Sequence, residues 1–343
     1  MINKIQSDRI FGLDSIRAVA SIWVFLSHLG KFPLIDTLGI YGNTPLAKIS
    51  QSMLGILFNG TAAVIAFFVI SGFCIRLSTQ SNYFLVGSFW VRRFVRVGGP
   101  LIAAVAISKI ILGSTEVLDA VLWSLYCELI YYFLYPFLCY VAFRTSWHIL
   151  LFFSVISACA LVIGGSQSNR YIWSYGVELS WIFGLPAWLT GVIVANNINI
   201  KGWSPNFGLR RVLWLCLWCL SIIALVLHFH FGFFYTYSMI PFGFIVGIWL
   251  LWELRAARLS QVNYILEWFG VWSFSLYLCH KIIIGVVDSN IINIDIGVYK
   301  YIATIILSFT FSVVFYYSIE RPFHYLARRL AKSAPVIYML NLQ

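Results

Sequence analysis

The stretch "DSIRAVASIWVFLSHLG", residues 14–30, reads as an apolar helix that nonetheless carries Arg17 and His28. A guanidinium at membrane depth costs roughly 2.5–3.5 kcal/mol on insertion scales, so the composition around the segment decides what it is. The chain has 343 residues, 61% hydrophobic and 10% charged. Soluble domains carry about 25% charged residues, and the mean hydropathy here is +0.88. These values predict an all-α, polytopic membrane bundle whose first span is this segment.

A spanning helix needs about 20 largely apolar residues. Ten segments qualify, near 12–30, 59–77, 97–113, 118–143, 148–164, 178–196, 212–229, 232–252, 268–287 and 300–319. Pro136, Pro186 and Pro241 fall inside spans and predict kinks. With the N-terminus inside, 16 of the 23 Lys and Arg residues lie on the inner side, and Arg17 and Lys281 lie within spans. Ten spans with both termini cytoplasmic fit that bias. The net charge of +11 is accounted for by orientation, and no soluble basic domain is present to bind nucleic acid. One membrane domain fills residues 1–343, with 326–343 as a cytoplasmic tail. The seven cysteines fall within or at the ends of apolar stretches, which argues against a disulfide framework. Cys216 and Cys219 have CxxC spacing but are expected to be buried thiols.

Ionisable residues inside a membrane are functional candidates because burying them unpaired is expensive. Arg17 and His28 are eleven residues apart, so they share a face about 16 Å apart along the axis, at 1.5 Å per residue. Asp14 precedes Arg17 by three residues and can pair with it. Two readings fit this spacing: a working pair, or an arginine reaching the headgroups beside a histidine bonded to a neighbouring helix. A second cluster is "WSLYCELIYYFLYP", residues 123–136, with Ser124 and Glu128 on one face and Tyr131, Tyr132 and Tyr135 along the next turns. Glu128 is expected at a depth compatible with His28, as an orienting carboxylate for a general base, or else paired with an arginine.

The run "FWVRRFVRVGGP", residues 89–100, holds Arg92, Arg93 and Arg96. These are ordinary positive-inside residues, or Arg93 and Arg96, three apart, grip phosphate bidentately. Ser71 lies in a span within "AFFVISGF", where small residues mean tight packing. His280, in "SFSLYLCHK", is deep enough for a packing, supporting or catalytic role. "IERPFHYLARR", residues 319–329, reads as a basic interfacial helix.

Taken in order, these blocks resemble the membrane acyltransferase-3 family from residue 11 to about 325. Arg17 and His28 match its arginine and histidine separated by ten residues. "FFVISGF" is similar to its second-helix block, and Arg93 and Arg96 to its RxxR element. "WSLYCELIYYFLYP" places Glu128 on its glutamate, and "SFSLYLCHK" and "ERPF" resemble its late blocks. "RVGGP" departs from the usual run after RxxR, and Cys127 stands where a small or β-branched residue is common.

The resemblance implies transfer of an acyl group, commonly acetyl from acetyl-CoA, to a hydroxyl of a cell-surface or lipid-linked glycan at the bacterial inner membrane. It resembles the stand-alone branch, without a fused esterase-like domain. Arg17, Arg93 and Arg96 would then hold the acyl-CoA phosphates, and His28 would act as general base or acyl carrier with Glu128 beside it. Asp14, Ser71, Ser124, Tyr131, Tyr132 and His280 would support the site or meet the substrate. The rival class is a transporter or flippase of a lipid-linked glycan, whose intramembrane charges would line a path. No metal is expected.

Overall fold

The computed structural model describes residues 10, 12–29, 44–45, 48, 53–80, 83–164, 172–200, 202–259, 263–289, 291, 297–334 and 338–340. Lys4, Arg9, Lys31, Arg170 and Lys201, which entered the charge bias, lie outside them, as do residues 335–337 and 341–343 of the expected tail.

The helices are α1 (Leu13–Leu29), α2 (Met53–Leu57), α3 (Gly60–Ser78), α4 (Val86–Leu112), α5 (Asp119–Arg144), α6 (Trp147–Gly164), α7 (Gly176–Asn197) and α8 (Phe207–Phe231). They continue as α9 (Tyr235–Ala257), α10 (Tyr264–Val271), α11 (Ser273–Asp288), α12 (Gly297–Phe315) and α13 (Arg321–Ala331). A short antiparallel pair, β1 (Tyr83–Leu85) with β2 (Tyr338–Leu340), is the one departure from an all-helical chain among the described residues. Asparagines set several helix starts: the Asn59, Asn206 and Asn263 side chains accept from backbone N–H groups in the first turns of α3, α8 and α10.

Seven helical stretches among the described residues are long and apolar enough to cross a membrane, eight if the bent pair α10–α11 counts as one. They are α2–α3, α4, α5, α7, α8, α9 and the continuous α12–α13. The chain is a multi-pass membrane protein. The 17-residue α1 and the 18-residue α6 fall outside that set.

Three expected boundaries move. The span expected at 97–113 is the end of a 27-residue helix that begins at Val86. A hydropathy window stops at arginines, whereas a helix backbone runs through them when their side chains find partners. The span expected at 268–287 is broken, with α10 and α11 meeting at 66°. The last span passes through a π turn, Tyr316–Glu320, into α13, a distortion that recurs at functional sites. Pro136, Pro186 and Pro241 lie inside continuous helices.

Helix α7 is central, packing against α3, α5, α6 and α9. Its contact with α3 is made by glycines on both sides. A Cβ on Gly72 would stand 1.9 Å from the Trp188 carbonyl oxygen, and one on Gly191 would stand 1.9 Å from that of Val69. Small residues at such crossings let backbones touch, which in a membrane replaces the hydrophobic drive absent from lipid. Gly72→Ala is expected to cost about 1–3 kcal/mol as overpacking, read as a lowered Tm in detergent. Gly98→Ala, whose Cβ would meet nothing within 4 Å, is expected to raise the Tm slightly, since Gly inside a helix costs about 0.5–1 kcal/mol relative to Ala.

Cys216 and Cys219 are exposed rather than buried, and all seven cysteines are free. They lie on α8, which is only 17% buried over its apolar window. In a membrane, apolar neighbours mark a lipid-facing surface as readily as a core.

Helix α1 is placed by a residue from the other end of the chain. Its first turn has unpaired N–H groups, and the buried Glu267 on α10 supplies the acceptor. Oε1 of Glu267 accepts from Gly12 N at 3.2 Å, Ser15 N at 3.0 Å and Ser15 Oγ at 2.6 Å. The approach is possible because Gly270 has no Cβ; one there would lie 2.0 Å from the Asp14 carbonyl oxygen. Glu267→Ala is expected to lower the Tm, because it leaves buried donors without their acceptor at about 1–3 kcal/mol each. Glu267→Gln, which keeps the acceptor oxygen, loses less in the same thermal assay.

Candidate active site

Helices α1, α3, α4, α5 and α11, with the π turn and α13, surround a cavity of about 960 Å³, its open mouth included. Arg17, Arg93 and Arg96 line it together with Glu320 and His324. Farther along are Cys74, Ser71, Glu128 and Tyr132, then Ser124, Phe67, Phe68, Val64 and Tyr277. Three guanidiniums face two carboxylates, so one end is basic and the other aromatic.

Each arginine is held. Arg17 lies 3.8 Å from Asp14 in the expected i,i+3 pair. Arg93 donates through Nη2 to Ser78 Oγ at 2.9 Å and sits 5.9 Å from the ring centres of Phe89 and Tyr132. Arg96 Nε donates to His324 Nε2 at 3.1 Å. His324 in turn lies 3.4 Å from the buried Glu320, whose Oε2 accepts from Ser275 Oγ at 2.5 Å. Arg92 is exposed and bonds the Ser88 carbonyl of its own helix.

Glu128 accepts from Ser71 Oγ at 2.7 Å and from the Tyr132 hydroxyl one turn on. Neither of these partners is His28 or an arginine, the two that the sequence suggests. Ser124 and Tyr277 share a hydrogen bond at 2.5 Å. Tyr131 and Tyr135 are fully buried away from the cavity. The first donates to the Trp181 carbonyl and packs on Phe68 and Trp188, and the second bonds Thr79. Neither offers a face to a sugar, because their side of α5 turns into the core against α7.

His28 does not line this cavity. Its Nδ1 lies 2.9 Å from Nε2 of His280, with the rings stacked at 5.0 Å. An aromatic step separates the pair from the cavity: Phe67 meets Tyr277 at 5.7 Å, and Tyr277 meets His280 at 6.3 Å. Among the described residues no group of three His, Cys, Asp or Glu side chains could hold a metal ion.

The sequence pattern therefore brings Arg17, Arg93, Arg96, Ser71, Ser124, Glu128 and Tyr132 to one cavity, and His28 and His280 to a second cluster beside it. It misses Glu320, His324 and Tyr277 as cavity residues. Residues 319–329 looked like an interfacial helix, but α13 packs against α4. The signal available was His324 at i+4 from Glu320, a histidine turned toward a buried carboxylate on an otherwise exposed helix.

The family model of the acyltransferase domain matches residues 10–317. Neither a curated protein nor a solved structure matches the chain. The matched residues take in both clusters except Glu320 and His324, and with them the chain belongs to the acyltransferase-3 family of membrane acyltransferases.

Proposed function

We propose that the chain moves an acyl group, acetyl in the first instance, from cytoplasmic acyl-CoA to a hydroxyl of a cell-surface or lipid-linked glycan at the bacterial inner membrane. The observation that carries this is the convergence of Arg17, Arg93 and Arg96 on one cavity, whose lining residue Tyr277 packs against the His280 partner of His28. Guanidinium forks match phosphate oxygens bidentately, and the donor carries its phosphates at the end opposite its thioester. The phosphates lie among the arginines, and the pantetheine arm extends toward Phe67 and Tyr277. Arg17 and His28, about 16 Å apart by helix rise, span a distance of suitable order for that arm.

His28 takes the proton from the acceptor hydroxyl as its oxygen attacks the thioester carbonyl. The new C–O bond forms, the C–S bond breaks, and the proton passes from the imidazole to the departing thiolate. Counting α1 and α6 as spans with the eight would give ten, an even number that would leave both termini on one side, which the arginines favour as the cytoplasmic one. The 17 residues of α1 are at the short end of the spanning range, about 17–25.

The test is binding of radiolabelled acetyl-CoA to purified protein in detergent, with CoA and pantetheine as competitors. Saturable binding displaced by CoA but not by pantetheine supports a phosphate-held donor. A folded protein that binds no acyl-CoA of any chain length overturns the proposal and favours transport of a lipid-linked glycan.

A further inference from the structure

The proton positions in the histidine pair are fixed by chemistry. Nδ1 of His280 lies 3.0 Å from the Leu276 carbonyl oxygen. A carbonyl only accepts, so this nitrogen carries the hydrogen. In a neutral imidazole the other nitrogen is then an acceptor, and Nε2 of His280 points at Nδ1 of His28, 2.9 Å away. The His28 Nδ1 must donate, which leaves its lone pair on Nε2. The two rings differ in access: His280 is fully buried, whereas His28 is partly exposed. Phe25 at 6.0 Å, edge-on, and Tyr277 at 6.3 Å hold the His280 ring in place.

We propose that His280 is a positioning residue which, through the Leu276 carbonyl, holds the His28 imidazole in one tautomer with Nε2 free to accept the acceptor's proton. This rests on His28 being the base. It gives His280 the task that an orienting carboxylate performs in other base–orienter pairs, but without a charge buried in the membrane. A neutral imidazole polarises the base less than a carboxylate, so its contribution is orientation and tautomer choice.

The test compares His280→Ala, His280→Gln and His28→Ala, reading kcat, the KM for acetyl-CoA and the Tm in detergent. The Gln amide oxygen reaches the place of the ring Nε2 and can accept the same hydrogen bond. His280→Ala is expected to lower kcat roughly 100-fold, the lower part of the range for base catalysis, with donor KM within about threefold. His280→Gln is expected to recover most of that loss, which a purely structural histidine would not predict. An inactive His28→Ala beside a fully active His280→Ala overturns the positioning role and leaves the base intact. Equal losses in His280→Ala and His280→Gln with unchanged Tm also overturn it. A fully active His28→Ala instead removes the base itself, whatever His280 does.

Discussion

His28→Ala is expected to yield a folded protein that binds the acyl donor and transfers no acyl group above background. A positioned general base contributes about 10²- to 10⁴-fold, and that range is the expected fall in kcat. The donor KM should hold, because His28 lies outside the cavity that gathers the arginines. The fold should hold as well: the ring is partly exposed, and beyond its own helix, where it bonds the Val24 backbone, its hydrogen-bond partner is His280. Transfer of label from acetyl-CoA to acceptor, with donor binding measured on the same sample, separates the two quantities. Retention of transfer within a few-fold would move the base to Glu128, the carboxylate inside the cavity.

The second large effect is expected on binding. Arg96→Ala should weaken acetyl-CoA about 10- to 100-fold, since hydrogen bonds to charged groups contribute about 1.5–3 kcal/mol and each 1.4 kcal/mol is tenfold. Turnover at saturating donor should fall much less. Arg96→Lys should restore only part of the affinity, because an ammonium keeps the charge and loses the planar fork. Arg92→Ala, four residues earlier and outside the cavity, should bind like the parent. Equal effects at Arg92 and Arg96 would mean that the helix serves as a diffuse basic surface and not as a specific grip. Isothermal titration at fixed ionic strength reads all three.

Much of the site was legible because helices write their faces into the sequence. Arg17 with Asp14, Ser124 with Glu128 and Arg93 with Arg96 follow from spacings of three or four residues, and the structure keeps each as neighbours on one helix. Contacts between helices leave no such trace. His28 meets His280 across 252 positions, and Ser15 meets Glu267 across 252 as well. No periodicity announces either, and the spacing along α5 likewise leaves the partner of Glu128 open between His28 and an arginine, whereas its partners are Ser71 and Tyr132. Aromatic residues mislead for a related reason: Tyr131, Tyr132 and Tyr135 read alike along α5, but only Tyr132 turns to the cavity. The length of α4 and the break at Val271 were hidden because hydropathy reports the solvent a side chain prefers, and these are features of the backbone path.

A water-filled passage from one face of a membrane protein to the other would conduct ions and run down the gradients that the membrane maintains. Between the arginines of the cavity and the histidine pair stand the rings of Phe67 and Tyr277, the latter tied to Ser124. A hydroxyl facing a buried serine and two packed rings leave little for a hydrated ion to replace its water with. The same layer that the proposed donor's arm would approach would thus serve as electrical insulation, with uncharged side chains that leave no charge unpaired.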